Sequence, residues 1–218
     1  MLLYDYFRSS AAFRVRIALA LKGIAVERRF VHLLRGGGEQ KQPDYLRRNP
    51  QGLVPALELD DGVVLTQSLA IIEYLEALKP EPRLIPDDPV CAAQSRAAAL
   101  AIACDTHPLG NLRVVSYLET ELHQGHDAIV NWRTHWATLG LAALEGLIRP
   151  APFCFGREPN IADICLAPQV FYAERFGVPL DAFPKLRTVA AACAQHPAFV
   201  AAHPAAQPDA DQAPGQAP

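Results

Sequence analysis

Two adjacent hydroxyls, Ser9 and Ser10, follow Arg8 and open an amphipathic stretch in "YDYFRSSAAFRVRIALALKG", residues 4–23. A serine in that place can cap a helix by accepting one of its orphan N–H groups. The same hydroxyl, together with the free N–H groups of a first turn, can instead stabilise an anion. A thiolate suits such a place, because a free thiol has a pKa of about 8.5 and helix N-termini lower it. Two further stretches bear on this chemistry. In Leu53-Val54-Pro55 a proline interrupts a strand-like run. Proline cannot donate to a ladder, so it belongs at an edge or in a cis bond. A cis bond would turn the backbone N–H and C=O of Val54 toward a ligand. Gln67-Ser68 stand at a helix start, where side-chain and backbone donors can meet a carboxylate. The three stretches together describe a site for a small extended peptide with a thiol at one end and a carboxylate at the other.

Positioning such a site takes an alternation of strands and helices, and the first eighty residues supply one. Residues 1–6 form a short apolar run. Phe13, Ile17 and Leu21 recur at four-residue spacing and predict one buried helical face, closed by Gly23 where a left-handed cap is usual. Residues 26–33 are β-like. A Gly-rich loop (Gly36, Gly37, Gly38) leads to a polar stretch with helical character over 43–48. Residues 53–59 and 63–65 flank Asp60-Asp61-Gly62, a short-hairpin signal. Thr66-Gln67-Ser68 then precedes a helix whose apolar stripe is Ile71, Ile72, Leu75 and Leu78. The order strand, helix, strand, helix, hairpin, helix predicts an α/β domain.

Pro80, Pro82, Pro86 and Pro89 mark a linker, and beyond it the strand signals stop. Residues 90–122, 126–148, 161–176 and 184–196 are Ala/Leu-rich with helical spacing. Pro108 is expected to kink or divide the first of them. Asn160 and Asp163 form a capping-box pair at the start of another. The tail from 205 is rich in Pro, Ala and Gln without an apolar face, which predicts disorder over 205–218.

Composition narrows the function. A 218-residue chain with a net charge of −3 lacks the dense basic face that nucleic acid requires. No run approaches the roughly 18 apolar residues of a membrane span, and no secretory signal is visible, so a cytoplasmic protein is expected. Cys91, Cys104, Cys154, Cys165 and Cys193 are widely spread with no C-x-x-C pair, and are expected to be reduced core residues. His123 and His126 lack a third ligand, so no metal site is expected.

"SSAAFRVRIALALKG", "NPQGLVPALELDDG", "LTQSLAIIEYLE" and "NIADICLAPQV" resemble the zeta class of glutathione transferases, over nearly the whole chain before the tail. The resemblance implies the glutathione transferase fold. That is an α/β, thioredoxin-like N-terminal domain (1–80), a linker (81–88) and an all-α substrate domain (89–204). It also implies a homodimer, with glutathione as a cofactor regenerated in each turnover. By the same resemblance Ser9 binds and activates the glutathione sulfur with Ser10 beside it, and Val54 holds the cysteinyl backbone with Pro55 cis. Gln67 and Ser68 hold the γ-glutamyl carboxylate, and His107 and Asn111 also line the cofactor. The activity implied is cis–trans isomerisation of a maleyl-keto acid, maleylacetoacetate or maleylpyruvate, to its fumaryl form in aromatic-compound catabolism. Its substrate is a dicarboxylate, for which Arg8, Arg113 and Arg175 are the candidate anchors. The family usually reads Ser-Ser-Cys at the first helix, whereas the third residue here is Ala11. Side activities that use that thiol, such as handling α-halo acids, are therefore in question. Two other readings stand beside the isomerase: a general glutathione conjugase using the same Ser9, and a non-catalytic binding protein on the same fold.

Overall fold

Strand β1 (Leu2–Asp5) lies inside a four-stranded sheet of order β2-β1-β3-β4 in the computed structural model, which describes residues 1–210. β1 runs parallel to β2 (Glu27–Phe30) and antiparallel to β3 (Ala56–Glu58). β3 in turn pairs antiparallel with the edge strand β4 (Val64–Thr66) across the expected hairpin. Strand β2 is shorter than the β-like pattern of 26–33. The parallel β1–β2 pair needs a crossover, and helix α1 (Ser10–Lys22) provides it. Ser9 caps α1, and Gly23 ends it at φ 59°, with Ile24 N–H donating to Leu19 O at 3.0 Å.

Helix α1 is buried nearly all round rather than along one stripe, because it packs on both α3 (Ser68–Leu78) and α9 (Pro197–Ala202). Its cations go inside with it, each with partners. Lys22 Nζ donates to Pro80 O (3.1 Å) and Pro82 O (2.7 Å) and pairs with Glu76. Arg16 pairs with Asp5 at 2.7 Å, and Arg28 holds the other oxygen of the same carboxylate. Between β2 and β3, the short helix α2 (Pro43–Leu46) carries Tyr45, whose hydroxyl donates to Leu53 O at 2.6 Å.

The chain divides into two units, Met1–Arg83 with 196–210, and Leu84–Gln195. In the second unit α4 (Pro89–Leu100) runs into a π turn (Ala101–Thr106) and a 3-10 turn (His107–Gly110) before α5 (Leu112–Thr120). Pro108 sits in this break, as expected. The long helix α6 (His126–Leu147) passes the break with Gly140 against the Thr106 side chain, where no Cβ would fit. Its Trp132 Nε1 donates to Leu109 O at 2.7 Å. Helix α7 (Ile161–Arg175) starts at the predicted capping box, with Ala162 N–H on Asn160 Oδ1 and Asn160 N–H on Asp163 Oδ2, both 2.9 Å. Burial raises the Asp163 carboxyl, while the N–H groups of Cys154 and Asn160 work against that rise. Helix α8 (Pro184–Gln195) packs on α7.

Three expectations need correction. The helical domain does not run from 89 to 204: Leu84 and Ile85, assigned to the linker, are buried in it, Leu84 O accepts from Ile161 N–H, and it ends at Gln195. Residues 205–210 are not disordered. A 3-10 turn (Pro204–Ala206) opens this stretch, Gln207 and Asp209 are buried with hydrogen bonds to Ala201 O, His203 O and the Phe7 N–H, and Ala210 packs on the core. The rest of that expectation, 211–218, lies outside the described residues. Cys104, finally, is exposed on the π turn rather than in the core, whereas Cys154, Cys165 and Cys193 are buried.

Candidate functional site

The turn that delivers Ser9 is closed by its N–H donating to Tyr6 O at 2.9 Å. Ser9 Oγ then accepts the Ala12 N–H at 3.2 Å, and Ser9 O accepts that of Phe13 at 2.8 Å. Ser9 is therefore the helix cap. A hydroxyl that accepts through a lone pair still has its own proton to donate. The helix mouth thus offers the Ser9 O–H and the first-turn N–H groups of Ser10 and Ala11, at the positive end of the α1 dipole. Arg8, half-buried, lays its guanidinium over the Phe7 ring at 5.0 Å.

Val54 and Pro55 are buried, and the bond joining them is cis. The carbonyl before them, Leu53 O, is held twice, by Tyr45 Oη at 2.6 Å and by Asn49 Nδ2 at 2.7 Å. Pro55 leads into Ala56, which pairs with both Tyr4 and Thr66, so this segment is anchored to the centre of the sheet.

Gln67 precedes α3 at its N-terminus with φ 69° and ψ 118°, and its side chain makes no capping hydrogen bond. A long side chain rarely adopts that backbone, and such outliers concentrate at ligand sites. Its Nε2 donates to Gln51 Oε1 at 2.7 Å. Ser68 is buried, and its Oγ accepts from Arg14 Nη1 at 3.2 Å, which leaves the Ser68 proton for another acceptor. Arg14, only 2% exposed, places a cation behind the α3 N-terminus.

Sequence reasoning missed Arg14 and Gln51, because their partners lie 54 and 16 residues away. It also passed over Gln40, which is buried with Nε2 on Leu33 O (3.3 Å) and an Oε1 that has no partner among the described residues. The backbone of Gln40 lies against Gly52, two residues before Val54.

In the helical unit, His107 is half-buried at the start of the 3-10 turn, and Asn111 spends its side chain capping α5, accepting the Arg113 N–H at 3.1 Å. Arg175 ends α7 with its guanidinium 4.9 Å from the Phe176 ring centroid, and Arg133 lies over the same ring at 4.1 Å. Tyr172 joins these pieces. Its hydroxyl lies against Gly110, and although burial raises its pKa, the charges of Arg133 and Arg175 pull it back. Arg175 and the 107–110 turn therefore share one region, with Arg133 and Tyr172 as members that the sequence did not flag. Arg113 is exposed on the first turn of α5.

Comparison with known proteins gives a consistent picture. Residues 8–78 match the family model for the glutathione S-transferase N-terminal domain, and 140–196 match that for the C-terminal domain. A maleylacetoacetate isomerase of Pseudomonas aeruginosa is 52% identical over 211 residues, covering 96% of this chain and 98% of that protein. The holo structure of a bacterial maleylpyruvate isomerase, a zeta-class glutathione S-transferase, superposes with a TM-score of 0.91 at 43% identity, covering 96% and 99% of the two chains. A maleylacetoacetate isomerase from Methylobacterium extorquens AM1, solved with malonate and glutathione bound, gives 0.92 at 39% identity over 96% and 99%.

Proposed function

Because the chain belongs to the zeta class of the glutathione S-transferase family, we propose that the mouth of α1 holds glutathione as its thiolate for a cis–trans isomerisation. The protein is a glutathione-dependent isomerase that converts a maleyl-keto acid, maleylacetoacetate or maleylpyruvate, to its fumaryl form. The observation that carries the site assignment is the capped helix mouth, where one serine accepts from the backbone and keeps a proton for an anion.

The residues present fit a γ-glutamyl tripeptide. Ser9 O–H and the N–H groups of Ser10 and Ala11 stabilise the sulfur as an anion. The Val54 backbone, fixed by the doubly held Leu53 carbonyl, takes the cysteinyl amide. Gln67 and Ser68 take the γ-glutamyl carboxylate. Arg14 orients the Ser68 hydroxyl and adds positive charge behind it. His107 and Asn111 line the cofactor. Bound glutathione supplies a thiolate that adds reversibly to the alkene, so that the former double bond can rotate before elimination restores it as trans. Arg8, Arg113 and Arg175 anchor the substrate carboxylates and keep its ends in place while the middle turns.

The same reading makes the protein a homodimer of the cytoplasm. Its five cysteines, all free, suit a reducing compartment, and no helix among the described residues is long and apolar enough to cross a membrane. An isomerase returns its cofactor, whereas a conjugase consumes it. Glutathione is expected to stay constant while maleylacetoacetate or maleylpyruvate is turned over, and kcat/KM for the preferred substrate should collapse without it. Stoichiometric loss of glutathione into a thioether would favour the conjugase.

A further inference from the structure

The N–H of Phe7 belongs to neither regular ladder, since β1 ends at Asp5 and α1 begins at Ser10. Left buried and unmatched it would be costly. Its acceptor comes from the far end of the chain: Asp209 Oδ2, at 2.9 Å. The carbonyl of Phe7 accepts from Arg16 Nη2 at 3.0 Å. Arg16 also donates to Ala202 O at 3.0 Å, so the 196–210 segment grips this turn directly through Asp209 and indirectly through Arg16. Phe7 and Arg8 are the central residues of the turn that Ser9 N–H closes onto Tyr6 O. Both peptide groups of one turn residue are thereby fixed, two positions before Ser9.

Asp209 is 4% exposed, and its Oδ1 has no hydrogen-bond partner among the described residues. A segment that merely covered apolar surface would be better served by an apolar residue, since a buried carboxyl with an idle oxygen carries a desolvation cost. What needs an acceptor at this point is the Phe7 N–H.

We propose that Asp209 is a positioning residue for Ser9, so that the C-terminal segment is part of the catalytic apparatus. The inference rests on the reading of Ser9 as the group that holds the sulfur. Freeing the Phe7 N–H lets the turn change conformation and spoils the aim of the Ser9 hydroxyl. The groups assigned to the rest of glutathione, at Val54, Gln67 and Ser68, are untouched.

Asp209→Ala should speed amide hydrogen exchange over 7–9 in the ligand-free protein and raise the pKa of the bound thiol, read from thiolate ultraviolet absorbance against pH. It should lower kcat roughly tenfold, a size in keeping with a misplaced catalytic group, with little change in glutathione KM. Asp209→Asn keeps an acceptor oxygen and should restore all three readouts. If Asp209→Ala does not fold, Asp209→Glu displaces the carboxyl without removing it and is read the same way. Unchanged exchange and thiol pKa in the Ala variant, or an Asn variant as impaired as Ala, would overturn the proposal. Ser9→Ala run in parallel separates the two readings. If it raises the thiol pKa while Asp209→Ala does not, only the role of Asp209 fails; if it leaves the thiol pKa alone, the Ser9 reading itself fails.

Discussion

Ser9 caps α1 and, on the proposed reading, also holds the glutathione sulfur, and substitution should expose both roles. As a cap it takes the Ala12 N–H, and losing such a cap costs about 1 kcal/mol of stability. As the proposed donor to a thiolate it would make a charge-assisted hydrogen bond, worth ~1.5–3 kcal/mol, or roughly ten- to a hundredfold in rate. Ser9→Ala is therefore expected to melt slightly lower, to raise the pKa of bound glutathione and to reduce kcat far more than cofactor affinity. Ser9→Gly should keep more of the stability, since glycine is a tolerated cap, and recover none of the rate. Transfer of both kinetic effects to Ser10→Ala would mean the wrong hydroxyl had been chosen. At this scale the sequence showed what short-range chemistry can show: the cap, the proline run and the Gln-Ser pair are all local patterns. Arg14 and Asp209 were hidden because their meaning comes from partners 54 and 202 residues away. A buried cation on a helix looks, in sequence, like any solvated one.

Elements were legible where a local signal defines them and obscure where a tertiary contact does. The Gly23 stop, the Asp60–Gly62 turn and the Asn160–Asp163 box were each found, because each is an arrangement of neighbouring residues. Residues 196–204 read as part of the helical domain, yet they belong to the first unit, because α9 buries Ala198, Phe199 and Ala202 there and packs on α1, a contact made at long range in the chain. The stability of this segment should depend on pH. His203 caps the last 3-10 turn with Nδ1 accepting the Ala205 N–H at 3.2 Å, which requires that nitrogen to be unprotonated. Burial, helped by the Arg16 charge, pulls the imidazole below its ordinary 6.5. The unfolded chain takes up the proton first on acidification. The stabilisation is thus complete above pH 6.5 and is lost as the pH falls through the lowered folded value. His203→Asn keeps a capping oxygen that does not titrate. Its melting temperature should vary less with pH in that range than that of the wild type, and parallel curves would assign the acid sensitivity to other groups.

On the proposed reading, the residues assigned to the thiol and the γ-glutamyl carboxylate belong to the first unit, and Arg113 and Arg175 belong to the second. The arginines separate a dicarboxylate isomerase from a conjugase on the same fold. A flexible dianion must keep its carboxylates anchored while its central bond rotates. A guanidinium can hold a carboxylate through two parallel hydrogen bonds. Arg175 shares one region with Tyr172, which lies against the 107–110 turn. Arg8 lies in the turn next to Ser9, and Arg113 is exposed at the start of α5. Each Arg→Ala is expected to weaken turnover of maleylacetoacetate or maleylpyruvate by roughly ten- to a hundredfold, the worth of one charge-assisted contact. Glutathione KM should change little, and turnover of a neutral conjugation substrate should fall far less. Arg→Lys should recover only part of the loss, since an ammonium keeps the charge without the fork. The effects should be graded, with Arg113→Ala mildest because Arg113 is exposed. Equal losses on neutral and dianionic substrates would show that these arginines support the fold or the cofactor instead.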